Sequence, residues 1–499
     1  MVKALMITGT NSSAGKSFLV TALCRYFAKK GFKVAPFKAQ NMSLQSFVCK
    51  DGSEIGLAQA LQAMACGIEP EKYFNPILLK PEGNQKSQVL LLGKVYKTLS
   101  AEDYYKEREI LWATVKEVLD YLKDKYDLLI LEGAGSPAEI NLLEVDIVNI
   151  KPALYLNCPV FLVGDIDKGG VFASLYGTLE LLKKFKPDYA KLIKGYIINK
   201  FRGSEKILYP GINSLNELTG LPFLGILPYK EDLKISDEDG YSFFTKRKNR
   251  DFTKGEVKIV ILPLPRISNF SDFDPFYIEE DAEVVYSFRE EDILSADIII
   301  LPGSKSTLSD LLFLKERGIK KLLEKALQRG AEIIGICGGY QMLGKVLKNP
   351  YKSEGEIKEM EGLGFLDIET LFYPEKITTQ VLARPLSTEN KKNTLWGFEI
   401  HKGISYGDIN LFEIERLATG EKLSEGSQSG KIWGTYLHGI FTNDKFRREL
   451  LNRHRIKKGL SPLPVKIRYW DALKENFEKL SQFVENYLDM EKINEISGF

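Results

Sequence analysis

The sequence predicts an α/β protein of two doubly wound, mostly parallel-sheet domains with a C-terminal helix. Three observations predict it. Short β-branched runs alternate with stretches of helical apolar spacing, the pattern of βαβ units whose sheets are covered on both faces. Two strand-to-helix junctions carry chemistry-bearing turns, one closed by Gly15-Lys16-Ser17 and the other centred on Cys337. Between them, 14 of the 27 residues from Lys230 to Glu256 are charged, against 27% for the whole chain. A solvated linker is the simplest account of that break. The division expected is 1–230, a charged linker 231–256, a second domain 257–450 and a helical extension 451–499.

The elements follow in order. Strands are expected at Ala4–Thr8, Leu128–Leu131, Val160–Val163 and Gly195–Ile198, with helices such as Phe18–Lys29 and Tyr105–Lys123 between them. After the linker come strands Val257–Leu262, Ile298–Leu301 and Glu332–Ile336. The tail places Leu473, Phe477, Leu480, Val484 and Leu488 on one helical stripe, expected to pack on the domain before it rather than on a partner.

Bulk properties exclude several classes. The chain has 499 residues, a prior of about three domains at roughly 150 residues each. A net charge of +2 gives no pull toward nucleic acid or anionic membrane. With 44% hydrophobic residues the chain is globular rather than disordered. No run approaches the roughly 18 apolar residues of a membrane span, and the start does not have the form of a signal peptide. Five cysteines without a CxxC pair argue against disulfides or zinc, and three histidines argue against a histidine-built metal centre. A cytoplasmic protein of two or three domains is expected, with no nucleic-acid or membrane partner. Composition sets no oligomeric state.

Strand Ala4–Thr8 runs into Gly9-Thr10-Asn11-Ser12-Ser13-Ala14-Gly15-Lys16-Ser17. Strand, glycine loop and helix are the arrangement in which backbone N–H groups cradle phosphates. Lys16 would reach the β/γ-phosphates of ATP and Ser17 would ligate Mg²⁺. Five residues separate Gly9 from Gly15, one more than the usual spacing. Mg²⁺ also needs a carboxylate, and Glu132, delivered at the C-terminal end of Leu128–Leu131, is the best placed. Asp165, in Asp165-Ile166-Asp167-Lys168-Gly169-Gly170, ends a neighbouring strand; it is either a helix cap or a functional acid. Asn199 could read an adenine edge.

Cys337 follows Glu332–Ile336 and is flanked by Gly335 and Gly339, the geometry of a nucleophile elbow. A helix N-terminus favours its thiolate. His438 is the best candidate base, with His401 as competitor. The turn at Gly303, together with Gly338 beside the nucleophile, could supply oxyanion N–H groups. ATP with Mg²⁺ in one half and Cys–His acyl transfer in the other suggest an amidotransferase. Cys337 would release ammonia from glutamine, and an acyl phosphate made by the other half would capture it.

The N-terminal half resembles the dethiobiotin synthetase-like ATPases, which share the lengthened loop. The C-terminal half resembles class I glutamine amidotransferase domains of the cobyric and cobyrinic acid synthase type. Within that group the whole chain is similar to the cobyric acid synthase family, on Lys38-Ala39-Gln40-Asn41-Met42, Asp51-Gly52-Ser53-Glu54-Ile55-Gly56, Asn75-Pro76-Ile77-Leu78-Leu79-Lys80-Pro81, Glu132-Gly133-Ala134-Gly135-Ser136, the Asp165–Ala173 block and Asn199-Lys200-Phe201-Arg202-Gly203. The resemblance implies ATP- and glutamine-dependent amidation of the b, d, e and g carboxylates of adenosylcobyrinic acid a,c-diamide, a corrinoid that is substrate, so that small molecules are the partners and no permanently bound cofactor is expected. It also implies roles: Lys38 near the transferring phosphoryl group, Asn199 at adenine, and a second Mg²⁺ carboxylate near Glu54 or Asp51. Asp146 is expected either to position the corrinoid or to cap a helix, and Arg202 could pair with substrate carboxylates. His438 is followed by Gly439 and Ile440, so the usual glutamate two residues on is missing. The resemblance implies a Cys–His dyad, its imidazole oriented by Glu399 or a backbone carbonyl. The rivals are an a,c-diamide synthase, another amidotransferase, and an ATPase switch with a degenerate glutaminase-like appendage.

Overall fold

Six strands, β1 (Lys3–Gly9), β2 (Val34–Phe37), β3 (Leu128–Glu132), β4 (Val160–Asp165), β5 (Ile193–Phe201) and β6 (Phe223–Pro228), form one sheet in the order β6-β5-β4-β1-β3-β2. Every pairing is parallel. The computed structural model describes residues 3–83, 86–230, 233, 257–386 and 393–499. Of the charged segment 231–256, all but Leu233 lies outside the described residues. The strands read as continuous apolar runs, such as Leu128-Leu129-Ile130-Leu131, because helices cover both faces. Their register matters for the site. Ile7 pairs with Glu132, Gly9 with Val163 and Asp165 with Asn199. The glycine loop, Glu132, Asp165 and Asn199 therefore all emerge at the C-terminal edge, where open α/β sheets bind ligands. Helices α1 (Lys16–Lys29) and α2 (Leu57–Ala65) follow β1 and β2 in sequence.

Contacts divide the chain into two units. One comprises Met1–Ser43, Glu54–Ile235 and Leu473–Phe499; the other comprises Leu44–Ser53 and Ser236–Ala472. The tail thus departs from the expectation that it packs on the domain before it. Phe477, Leu480, Val484 and Ile493 share one core with Leu5, Leu19, Val20 and Leu23 of β1 and α1. Asp489 N–H donates to Leu224 O at 2.8 Å, and Gly225 leaves no room for a side chain against Tyr487 O. A stripe in one dimension shows that a face is apolar, not which face it covers.

The second unit repeats the parallel theme. β7 (Val257–Ile261), β8 (Ala282–Tyr286), β9 (Ile298–Leu301), β10 (Glu332–Ile336) and, after two long strands, a final strand Ile432–Thr435 form a parallel sheet; Ser427–Ser429 joins its edge antiparallel. The two long strands, β11 (Ile368–Pro385) and β12 (Leu395–Gly407), pair antiparallel in a separate sheet. We denote Ile432–Thr435 β13 and the helix after Cys337, Gly338–Leu343, α3. All seven strands expected from sequence occur where expected, within two residues except at the C-terminal end of β5. β2, β6, β8, β11, β12 and β13 were not among them.

Candidate functional site

The phosphate loop is built by β1 delivering Gly9 and α1 starting at Lys16. Gly15 caps α1 at φ +96°, and a Cβ there would lie 2.1 Å from Asn199 Nδ2, so only glycine fits. Lys16 Nζ donates to Asn11 O at 3.0 Å and to Gly135 O at 3.2 Å. Ser17 Oγ donates to Glu132 Oε1 at 2.8 Å, and Lys38 Nζ reaches the same oxygen at 2.7 Å. Burial alone would raise the Glu132 carboxyl, but Lys38 and its other donors outweigh it and hold the acid ionised, below the ordinary range. A hydroxyl beside an ionised carboxylate is the small oxygen set Mg²⁺ takes from proteins when substrate phosphates and waters complete its shell. The residues present therefore fit that cation.

Several sequence expectations land elsewhere. Glu54 is buried and paired with Lys80. Asp51 belongs to the segment Leu44–Ser53 of the other unit, where its carboxylate accepts from Ser53 N–H at 3.0 Å. Among the described residues no group of three or more His, Cys, Asp or Glu could hold a metal. Asn199 braces the loop: its Nδ2 donates to Ala14 O at 2.8 Å and its Oδ1 accepts from Lys200 N–H at 2.8 Å. Asp165 is buried against Lys200, whose ammonium also donates to Ser13 O at 2.6 Å. Both acid and lysine thus hold the loop. Asp146 takes the capping alternative, its Oδ1 accepting from Val148, Asn149 and Ile150 N–H at the start of the helix Ile150–Leu156. Arg202 is exposed, paired with Asp167 at 3.2 Å and stacked over Tyr229.

In the second unit, β10 ends at Ile336 and the chain turns sharply into α3. Cys337 sits at φ 50°, ψ −108°, a strained conformation for a residue with a side chain, and its N–H donates to Thr435 O at 2.8 Å. Gly339 is required because a Cβ there would lie 1.9 Å from Leu301 O. Gly338 opens α3, so its N–H has no helical partner. Gly303 lies close by, a Cβ on it falling 3.0 Å from His438 Cε1.

His438 follows β13 and is held by a reciprocal backbone pair with Phe398, at 2.9 and 3.0 Å. Its Nδ1 lies 2.7 Å from Asp272 Oδ2, while Asp272 Oδ1 accepts from Gly439 N–H at 2.8 Å. Burial would lower the imidazole, but Asp272 and the hydrogen-bonded Cys337 overcome it and lift His438 to about 10. Asp272 is thus the orienting acid that a dyad leaves open, supplied by the 3-10 segment Phe270–Ile278. Glu399 does not do this. Its carboxylate takes His401 Nε2 at 3.1 Å and Arg416 Nε at 2.7 Å, and His401 Nδ1 lies 2.7 Å from Gly403 O, so both ring nitrogens of His401 are occupied. His401 stacks instead on Tyr436, ring centroids 3.8 Å apart.

Comparison with known proteins covers both units. Residues 5–243 match the CobQ/CobB/MinD/ParA nucleotide binding domain, and residues 258–446 match the CobB/CobQ-like glutamine amidotransferase domain. Over its whole length the chain is 54% identical to the cobyric acid synthase of Thermodesulfovibrio yellowstonii, covering 100% of both chains. It is 46% identical to that of Caldanaerobacter subterraneus subsp. tengcongensis and 45% identical to that of Clostridium botulinum, covering 99% of each chain in both cases.

Proposed function

The chain belongs to the cobyric acid synthase family, and from that membership we propose that it amidates the b, d, e and g carboxylates of adenosylcobyrinic acid a,c-diamide, giving adenosylcobyric acid. Each cycle consumes ATP and glutamine. The observation that carries the reading is that one chain holds both an acyl-transfer centre, Cys337–His438–Asp272, and a phosphate loop with Ser17, Lys38 and Glu132 gathered beside it.

In the glutaminase unit, Cys337 Sγ attacks the side-chain carboxamide carbon of glutamine and forms a tetrahedral oxyanion. The N–H groups of Gly338 and the Gly303 turn stabilise that charge. His438 gives its proton to the departing ammonia, and Asp272 holds the imidazolium in the tautomer and orientation this needs. Water, deprotonated by His438, then clears the glutamyl thioester as glutamate.

In the ATPase unit, a substrate carboxylate attacks the γ-phosphoryl group and ADP leaves. Lys16 and Lys38 neutralise the charge that spreads over the phosphoryl oxygens. Bound Mg²⁺, held by Ser17 and Glu132, would supply further neutralisation. Ammonia displaces phosphate from the acyl phosphate and leaves the amide.

The test is mass spectrometry of adenosylcobyrinic acid a,c-diamide incubated with the protein, ATP, Mg²⁺ and glutamine. Four successive replacements of hydroxyl by amino group are expected. Glutamine hydrolysis with an unchanged corrinoid mass would overturn the substrate assignment and leave an amidotransferase for another carboxylate.

A further inference from the structure

Helix α2 sends two glutamines from one face, since Gln59 and Gln62 stand three residues apart. Both are completely buried. Gln62 Nε2 donates to Glu132 Oε2 at 2.6 Å, while the other oxygen of that carboxylate takes Ser17 and Lys38. Gln59 Oε1 accepts from Asn41 Nδ2 at 3.0 Å. Each amide is therefore half satisfied: Gln62 Oε1 and Gln59 Nε2 have no hydrogen-bond partner among the described residues. Buried amide atoms without partners are rare and costly, and packing alone does not call for them, because a methionine of similar length would fill the same face.

The two orphans are of opposite kind, an acceptor and a donor, on the helix face that holds Glu132. A hydrated cation offers O–H donors, and a phosphate offers oxygen acceptors. One ligand, a hydrated Mg²⁺–phosphate complex, satisfies both.

We propose that α2 is the second wall of the nucleotide site, with Gln62 as its positioning residue. Gln62 Nε2 fixes the Glu132 carboxylate, Gln62 Oε1 accepts a hydrogen bond from a water in the hydration shell of Mg²⁺, and Gln59 Nε2 donates to a phosphate oxygen of the same complex. This rests on the nucleotide-binding reading given above.

The test uses the full-length protein with ADP, and Mn²⁺ in place of Mg²⁺, bound Mn²⁺ being counted from the electron paramagnetic resonance of the free ion. Gln62→Met weakens Mn²⁺ binding in the ADP complex by roughly tenfold or more. Its ADP affinity in EDTA falls by much less than its Mn²⁺ affinity, because Gln62 Oε1 meets the nucleotide complex through the cation's water. Gln62→Glu moves the other way, tightening Mn²⁺ through an added carboxylate beside Glu132 and weakening metal-free ADP. Should Gln62→Met fail to fold, the tightening in Gln62→Glu decides alone. Unaltered Mn²⁺ affinity in either folded variant overturns the inference, as does a loss of ADP affinity in Gln62→Met that is equal with and without metal. A parent protein that binds no Mn²⁺ in the presence of ADP would overturn the nucleotide-binding reading itself.

Discussion

Asp272 carries two loads with one carboxylate, accepting from the Gly439 backbone with one oxygen and facing His438 Nδ1 with the other. Asp272→Asn keeps the shape but lets the amide impose the wrong tautomer on the ring and removes the charge that raises it. Glutamine hydrolysis should fall by on the order of 10²–10⁴ in kcat. The sign on pH follows from the same contact. With Asp272 present the imidazolium persists to about pH 10; with asparagine, burial prevails and the proton is lost at lower pH. The alkaline limb of the kcat/KM profile for glutamine must therefore move to lower pH in the variant, and a limb that stays in place would show that Asp272 does not set it. Nothing in the sequence marks this residue. Cys337 was legible because glycines two residues to either side make an elbow pattern that needs no partner. Asp272 lies 166 positions from His438, in a 3-10 segment without periodicity, so only folding identifies it. The same holds for Gln62, an amide on a helix face that by sequence is core.

Elements buried on both faces were the legible ones. β1, β3, β4, β7, β9 and β10 announce themselves as apolar runs because parallel strands under helices have no wet side. β11 and β12 alternate or mix, and β2 contains Pro36, so tertiary pairing rather than local pattern decides them. Two predictions belong here. Leu480 is fully buried between the tail helix and the β1–α1 face. Leu480→Ala should destabilise that unit by about 2–5 kcal/mol, seen as earlier urea unfolding with glutaminase activity unchanged; a drop in glutaminase activity instead would place the tail's role elsewhere. The strand Lys422–Glu425 ends in a fully buried acid raised by desolvation to about 8, with Thr435 Oγ1 and Tyr436 N–H each 2.6 Å away. Raised above its unfolded value, Glu425 contributes stability fully present below about pH 4.5 and lost as pH rises through about 8. Glu425→Gln mimics the protonated acid, donating to Thr435 while accepting from Tyr436. It should match the parent below about pH 4.5 and gain on it by roughly 1.4 kcal/mol per pH unit from there to about pH 8, levelling off above, measured by urea unfolding at each pH. A constant difference across that range would mean that Glu425 stays ionised.

Each unit has its own apolar core, one around β7, β9 and β10 with Cys337 at its edge, the other around β1, β3 and β4. The chain does not visit them in turn. It builds β1 and α1, sends Leu44–Ser53 into the second unit, returns for α2 and β3, and after the second unit ends in a helix on the first. The inserted segment is tied to the chain just ahead of Asp272: Ser46 N–H donates to Asn269 Oδ1 at 2.9 Å and Asn269 N–H to Leu44 O at 3.3 Å. Separate cores with separate chemistries make the half-reactions separable by substitution. Cys337→Ser leaves the phosphate loop intact but replaces the thiolate with a hydroxyl that His438 does not ionise. Glutamine-dependent amidation should fall at least about 10³-fold, while amidation supported by added ammonium salt stays within about twofold of the parent. Lys16→Ala gives the converse: amidation is lost with either nitrogen source, and glutamine hydrolysis continues. Amide product and glutamate, followed in parallel for the two variants, check both arms. If ammonia fails to rescue Cys337→Ser, acyl-phosphate formation depends on an intact glutaminase centre.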